Sequence, residues 1–198
     1  MTDVRAAIAR RVALPLTAVL ITAAALLWHR LPVPTQIYTP FDVHGSLGNA
    51  VRGRALDVAV TKVRVAPKAK FALGRYSSST VSAIGTWLVV DATVSALTSS
   101  ELVSADLVLG GNTYQQALRT PMPGFGVRVD PGLPQHGYWV FDVAPELMQP
   151  AITGPLQVRV WAGGDERLND RLVIDLANRP QDRSDIIAVK PFEIGPAT

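Results

Sequence analysis

Hydrophobic and polar positions fall into two regimes along this chain. From Val12 to Trp28, in "VALPLTAVLITAAALLW", no side chain is charged and no polar face recurs, which predicts a helix apolar all round rather than an amphipathic one. From Phe41 onward no stretch of a dozen residues keeps a helical period. Short runs rich in Val, Leu and aromatics are instead separated by Gly, Pro, Asn and Ser clusters, the pattern of β-strands.

The strands read as follows. In residues 55–65, Leu56, Val58 and Val60 alternate inward and Val63 and Val65 continue on the opposite parity, so a β-bulge near Thr61 and Lys62 is expected to return both halves to one core. Residues 85–100 set Leu88, Val90, Ala92, Val94 and Ala96 on one face, against Trp87, Asp91, Thr93 and Ser95 on the other. Residues 102–118 predict a hairpin turning at Gly110, Gly111 and Asn112. Strands follow at 137–145, with Trp139, Phe141 and Val143 inward, and at 155–163 and 171–177. Six or seven such strands suit a two-sheet sandwich. Residues 68–84 read as a Ser-rich connection and residues 119–137, rich in Pro and Gly, as an irregular surface loop. Residues 178–198 read as a polar, then weakly apolar, tail lying on the domain.

The opening segment sets the compartment. A helix over 12–31, rising about 1.5 Å per residue, covers most of a hydrocarbon core about 30 Å thick. Arg10 and Arg11 at one end and His29 and Arg30 at the other can snorkel outward, and Trp28 sits at the interface level. The positive-inside rule then puts residues 1–11 in the cytoplasm and the rest outside, beyond a Pro-rich spacer at 32–40. A cleaved signal peptide is the rival reading, with Arg5 to Arg11 as its charged region and the small residues of "TAAA" as the cleavage site. Both readings export the domain at 41–177.

The stretch "WLVVDATVSALTSSELVSADLVLGGNTYQ", followed by "GYWVFDV", resembles the immunoglobulin-like bacterial domains of the DUF4352 family. The resemblance covers roughly residues 56–176. It departs from the family pattern at Ala96 and Leu97, where an asparagine-type turn is usual, and at Leu107, which replaces an aromatic. It implies a secreted or membrane-anchored sandwich with no established common activity, and it carries no catalytic residues to transfer.

Charge changes this picture little. The net charge is +3, but Arg5, Arg10, Arg11 and Arg30 face only Asp3 in the first thirty residues, which leaves 15 of the 19 basic and 15 of the 16 acidic side chains in the rest. The basicity therefore belongs to the N-terminus and gives no argument for nucleic acid. With no cysteine there is no disulfide, thiolate metal site or cysteine nucleophile. His29, His44 and His136 lie far apart in sequence, and the serines of "YSSST" lack nucleophile-elbow glycines. Met122, His136 and Met148 form the best soft-metal set, with a proline-loop packing role for Met122 as its competitor. No catalytic, cofactor-binding or metal residue is therefore assigned. One run is uneven: Arg52, Arg54, Lys62, Arg64, Lys68, Lys70 and Arg75 meet only Asp57. Together with Trp87 and Tyr138, which alternation points away from the core, the first six of these are the candidate interface. The expected protein is an all-β, immunoglobulin-like β-sandwich of about seven strands behind one transmembrane helix. Its expected role is that of a non-catalytic accessory or scaffold subunit on an envelope protein or complex. The alternative is a small-ligand or lipid-binding module.

Overall fold

The inward face of residues 85–100 builds the main core, and Leu88, Val90, Ala92, Val94 and Ala96 are all buried in it. They belong to β4 (Ser78–Ala96), which pairs antiparallel with β3 (Leu56–Ala72) and with β7 (Gln135–Val143). The computed structural model describes residues 2–31, 38–74, 76–148, 154–176 and 182–195, with side chains in the opening helix from Pro15 onward. The expected spacer at 32–40 falls largely outside the described residues, as do Arg75 and the side chains of Arg5, Arg10 and Arg11.

The chain divides into two units, Met1–Thr39 and Pro40–Thr198. The first holds α1 (Thr2–Arg30), with Pro15 inside it and His29 and Arg30 in its last turn. Leu16, Val19, Leu20, Ile21, Leu26, Leu27 and Trp28 are exposed on it. Among the described residues no helix is long and apolar enough to cross a membrane.

The second unit is a β-sandwich. Its first sheet, A, runs in the order β1 (Phe41–Ser46), β9 (Asp170–Asp175), β8 (Leu156–Ala162), β5 (Val103–Leu109), β6 (Asn112–Gln115). All its pairings are antiparallel except β1 on β9. The second sheet, B, is built on β3, β4 and β7. The free edge of β3 is filled by β2 (Ala50–Arg52), β10 (Asp182–Arg183) and β11 (Ile186–Val189), and β12 (Glu193–Ile194) pairs with the start of β7. Side chains from the facing sides of both sheets, including Val58, Leu107, Phe141, Val158 and Ile174, fill the space between them.

Alternation anticipates the strands of the main core, and the bulge falls where expected, as a register shift between Val60 and Lys62. Residues 68–84, however, are not a connection. They are the distal halves of β3 and β4, paired from Lys68 with Ser82 to Ala72 with Ser78. The predicted tail likewise supplies three strands. The physical reason is non-local: the distal hairpin is held by residues more than a hundred positions away, which no local pattern announces.

Between its two halves the hairpin turns a corner. Opposite Pro67 alone stand four residues of β4, Ala83 to Thr86, because the ladder passes from Ala66 with Trp87 to Lys68 with Ser82. The Asp142 carboxylate fixes the bend, accepting from the backbone N–H of Ile84 at 3.0 Å and of Gly85 at 2.9 Å, and from the Arg119 guanidinium at 2.5 Å. Beyond the corner the hairpin folds back over the outer face of sheet B. Phe71 reaches Tyr138, ring centroids 6.3 Å apart, and the Trp87 indole N–H donates to the Val81 carbonyl at 3.0 Å. A second core results, made of Ala66, Ala69, Phe71, Trp87, Val89, Tyr138 and Val140 with Ile187 and Val189 of β11.

Candidate functional site

The predicted interface residues separate in the structure. Arg54 pairs with Asp170 at 2.8 Å, Lys62 with Asp182 at 2.5 Å and Arg64 with Asp91 at 2.5 Å. Arg52 stands opposite Asp57 in the β2–β3 ladder. Lys68 and Lys70 are exposed, and among the described residues neither has an ion-pair partner. Trp87 and Tyr138 do lie on the face away from the main core, but they are not exposed anchors. They are 0% and 5% exposed because the folded-back hairpin and β11 cover them, and Arg119 stacks over Trp87 at 5.4 Å. Burial pushes the Tyr138 phenol up to about 12. The soft-metal trio does not assemble: Met148 is buried in the main core, whereas His136 lies on the outer side of sheet B.

The segment between β6 and β7 behaves differently from an open loop. Phe125 and Val129 enter the main core, with Phe125 tilted on Trp139 at 4.8 Å. Two glycines allow this close approach: a Cβ on Gly124 would lie 1.7 Å from the Tyr138 carbonyl oxygen, and one on Gly137 2.0 Å from that of Gly124. Val127 and Leu118 project the other way, 81% and 97% exposed. Beside Leu118 opens a pocket of about 320 Å³, with Val103, Phe125, Tyr138, Trp139 and Val140 in its lining and polar contributions from Gln116 and Thr120. The lining is mixed, with buried rings at its base and Gln116, Thr120 and backbone groups toward its mouth, beside the exposed Leu118; a concave site of this kind suits an amphipathic side chain of a partner, the geometry of an interface anchor.

A second pocket of about 460 Å³, lined by charged and apolar groups together, lies where the chain crosses from β11 to β12 over sheet B. Arg64, Asp91, Thr93 and His136 rise from the sheet, and Lys190 and Glu193 border it from the crossing segment. His136 ties the two together. The Gly195 carbonyl oxygen, 2.8 Å from Nε2, can only accept, so Nε2 carries the proton and Nδ1 accepts from the Thr93 hydroxyl at 2.8 Å. Burial raises the Asp91 carboxyl above its ordinary value, against the opposing hydrogen bond from Arg64. Sequence reading found neither pocket as a unit, because each draws its lining from strands far apart in the chain. The stretch 119–137, singled out for its prolines and glycines, does carry one wall of the pocket beside Leu118.

No family model matches the chain, and no curated protein matches it. The chain is similar to a crystal structure of an uncharacterized beta-sandwich protein from Clostridium difficile 630, at 11% sequence identity and a TM-score of 0.45, over 69% of this chain and 95% of that one.

The outer face of sheet A carries charge that is already spent on itself. Asp106 and Arg159, opposite one another in the β5–β8 ladder, form a two-pronged ion pair with Asp106 3% exposed. Arg171 donates to both oxygens of Asp42, at 2.7 and 2.9 Å, and to Glu166 at 3.0 Å. That network holds the Asp42 carboxyl below its ordinary value and the Arg171 guanidinium above its own, the hydrogen bond between them being the largest cause of each.

Proposed function

We propose that this chain is a non-catalytic, membrane-anchored extracytoplasmic module whose immunoglobulin-like sandwich, of the DUF4352 type, docks onto another cell-envelope protein. The carrying observation is the pair of exposed aliphatic side chains at the pocket between β6 and β7: Leu118 in its lining and Val127 next to its lining residue Gly126. Exposed aliphatic side chains bordering a concave floor of Phe125 and Trp139 cost solvation in isolation and gain it back against a partner. The anchor reading is supported by α1, whose described side chains from Leu16 to Trp28 include seven exposed large apolar residues, and by the arginine excess ahead of it.

The test is purification of the full-length tagged chain from its native membrane in mild detergent, beside a Leu118→Asp, Val127→Asp variant. A stoichiometric protein that accompanies the wild type and is lost from the variant supports the docking reading. A partner retained equally by both refutes this surface as the contact. The second reading, a small-ligand or lipid module, draws on the pocket under the β11–β12 crossing, where charged and apolar groups meet. It takes precedence if both forms emerge without protein but with a bound small molecule or lipid.

A further inference from the structure

The layer that folds back over sheet B has two faces. One is used up in the second core; the other faces outward. On it β3 lies between β11 and β4, with Ile186, Lys68 and Ser82 in one row and Ala188, Lys70 and Thr80 in the next. Lys68 and Lys70 are exposed, as are Ser78, Thr80 and Ser82. Apolar residues stand around them: Ile186 is 49% exposed, Ile84 at the corner 85%, and Leu73 and Tyr76 at the hairpin turn 41% and 94%. From Val58 to Val90 the sequence contains no acidic residue. The basic residues on β2, on the proximal half of β3 and on their connection have acidic neighbours in space, whereas among the described residues these two form no ion pair.

We infer that this face rests on the anionic headgroups of the membrane. The arrangement decides against a protein partner, because lysine is depleted from the centres of protein interfaces and apolar groups are concentrated there. Here the order is inverted, with lysines and hydroxyls central and apolar groups at the border. Such a layout suits a bilayer surface: ammonium groups meet phosphates, hydroxyls meet the headgroup region, and Tyr76 takes the interfacial position that amphipathic aromatics favour. The inference rests on the anchor part of the proposed function, since the ten residue steps from Arg30 to Pro40 can span at most about 35 Å and keep the domain within reach of the lipid.

The chain has no cysteine, so Ser78→Cys gives a single attachment point for an environment-sensitive fluorophore on this face. The labelled full-length protein is reconstituted with vesicles of phosphatidylcholine alone, or with about one third phosphatidylglycerol, and followed by flotation and emission. The expected result is flotation with both, and a blue-shifted emission only with the anionic lipid. The Lys68→Gln, Lys70→Gln variant should lower the docked-to-free ratio about 30-fold, about five-fold per lysine, with thermal melting unchanged. Flotation with both lipids and no lipid-dependent emission overturns the inference, assigns the face to a protein, and leaves the anchor standing. Flotation with anionic vesicles only, abolished in the variant, upholds the face and overturns the anchor. Flotation with neither overturns both.

Discussion

At the scale of single residues, two carboxylates show how one side chain chemistry is set in opposite directions by its surroundings. Asp42 is held below its ordinary value of 3.8 chiefly by the hydrogen bond from Arg171. A carboxyl whose folded value is depressed contributes stability above its ordinary value and loses that contribution as pH falls through the folded one. Asp91 is raised above 3.8 by burial, so its contribution runs the other way: it is present at low pH and lost as pH rises through the raised value. Asp42→Asn should therefore flatten the acid limb of the stability profile, and Asp91→Asn the limb above it. Urea unfolding of the three proteins between about pH 2.5 and 7, on both sides of the ordinary carboxyl value, checks both. Parallel profiles for wild type and Asp42→Asn would remove Arg171 as the cause.

At the scale of elements, the corner in the β3–β4 hairpin decides what the outer face of sheet B becomes. Asp142 accepts from two backbone N–H groups and one guanidinium there. Asp142→Ala leaves those donors without their acceptor, at a cost of about 2–3 kcal/mol, and should loosen the folded-back layer first. Hydrogen exchange should quicken over residues 68–83 while residues 88–96, inside the main core, stay protected. The same corner explains how far the sequence could be read. Apolar and polar residues alternate from Val90 to Ala96, and Trp139, Phe141 and Val143 share one parity, so their inward face is legible. In residues 68–84 the buried positions are Ala69 and Phe71, with Val81 and Ala83 half-buried, small side chains among serines, and period-two alternation that weak passes for a loop. Trp87 and Tyr138 were placed on the correct face, but nothing local says that this face is roofed. The pocket beside Leu118 is half legible: its Pro and Gly segment stands out, whereas its floor depends on the meeting of Phe125 with Trp139.

At the scale of the whole domain, sheet B is a wall shared by two cores, with Leu88 and Val90 on one side and Trp87 and Val89 on the other. The second core is closed by Ile187 and Val189, which arrive on the last stretch of the chain. A chain ending at Leu176 should keep the main core and lose the second one. Its tryptophan emission should shift to the red as Trp87 becomes wet, and sedimentation should show association through the bare β3 edge. An unchanged spectrum and a monomer would mean that the hairpin roofs itself. Synthesis from the N-terminus therefore imposes an order on this molecule: β3 emerges with an unguarded edge and a greasy flank, and β11, which guards it, follows more than a hundred residues later. For that interval the hairpin is a surface in search of its own roof, and any delay in delivering it lengthens the time in which neighbouring chains can pair there instead.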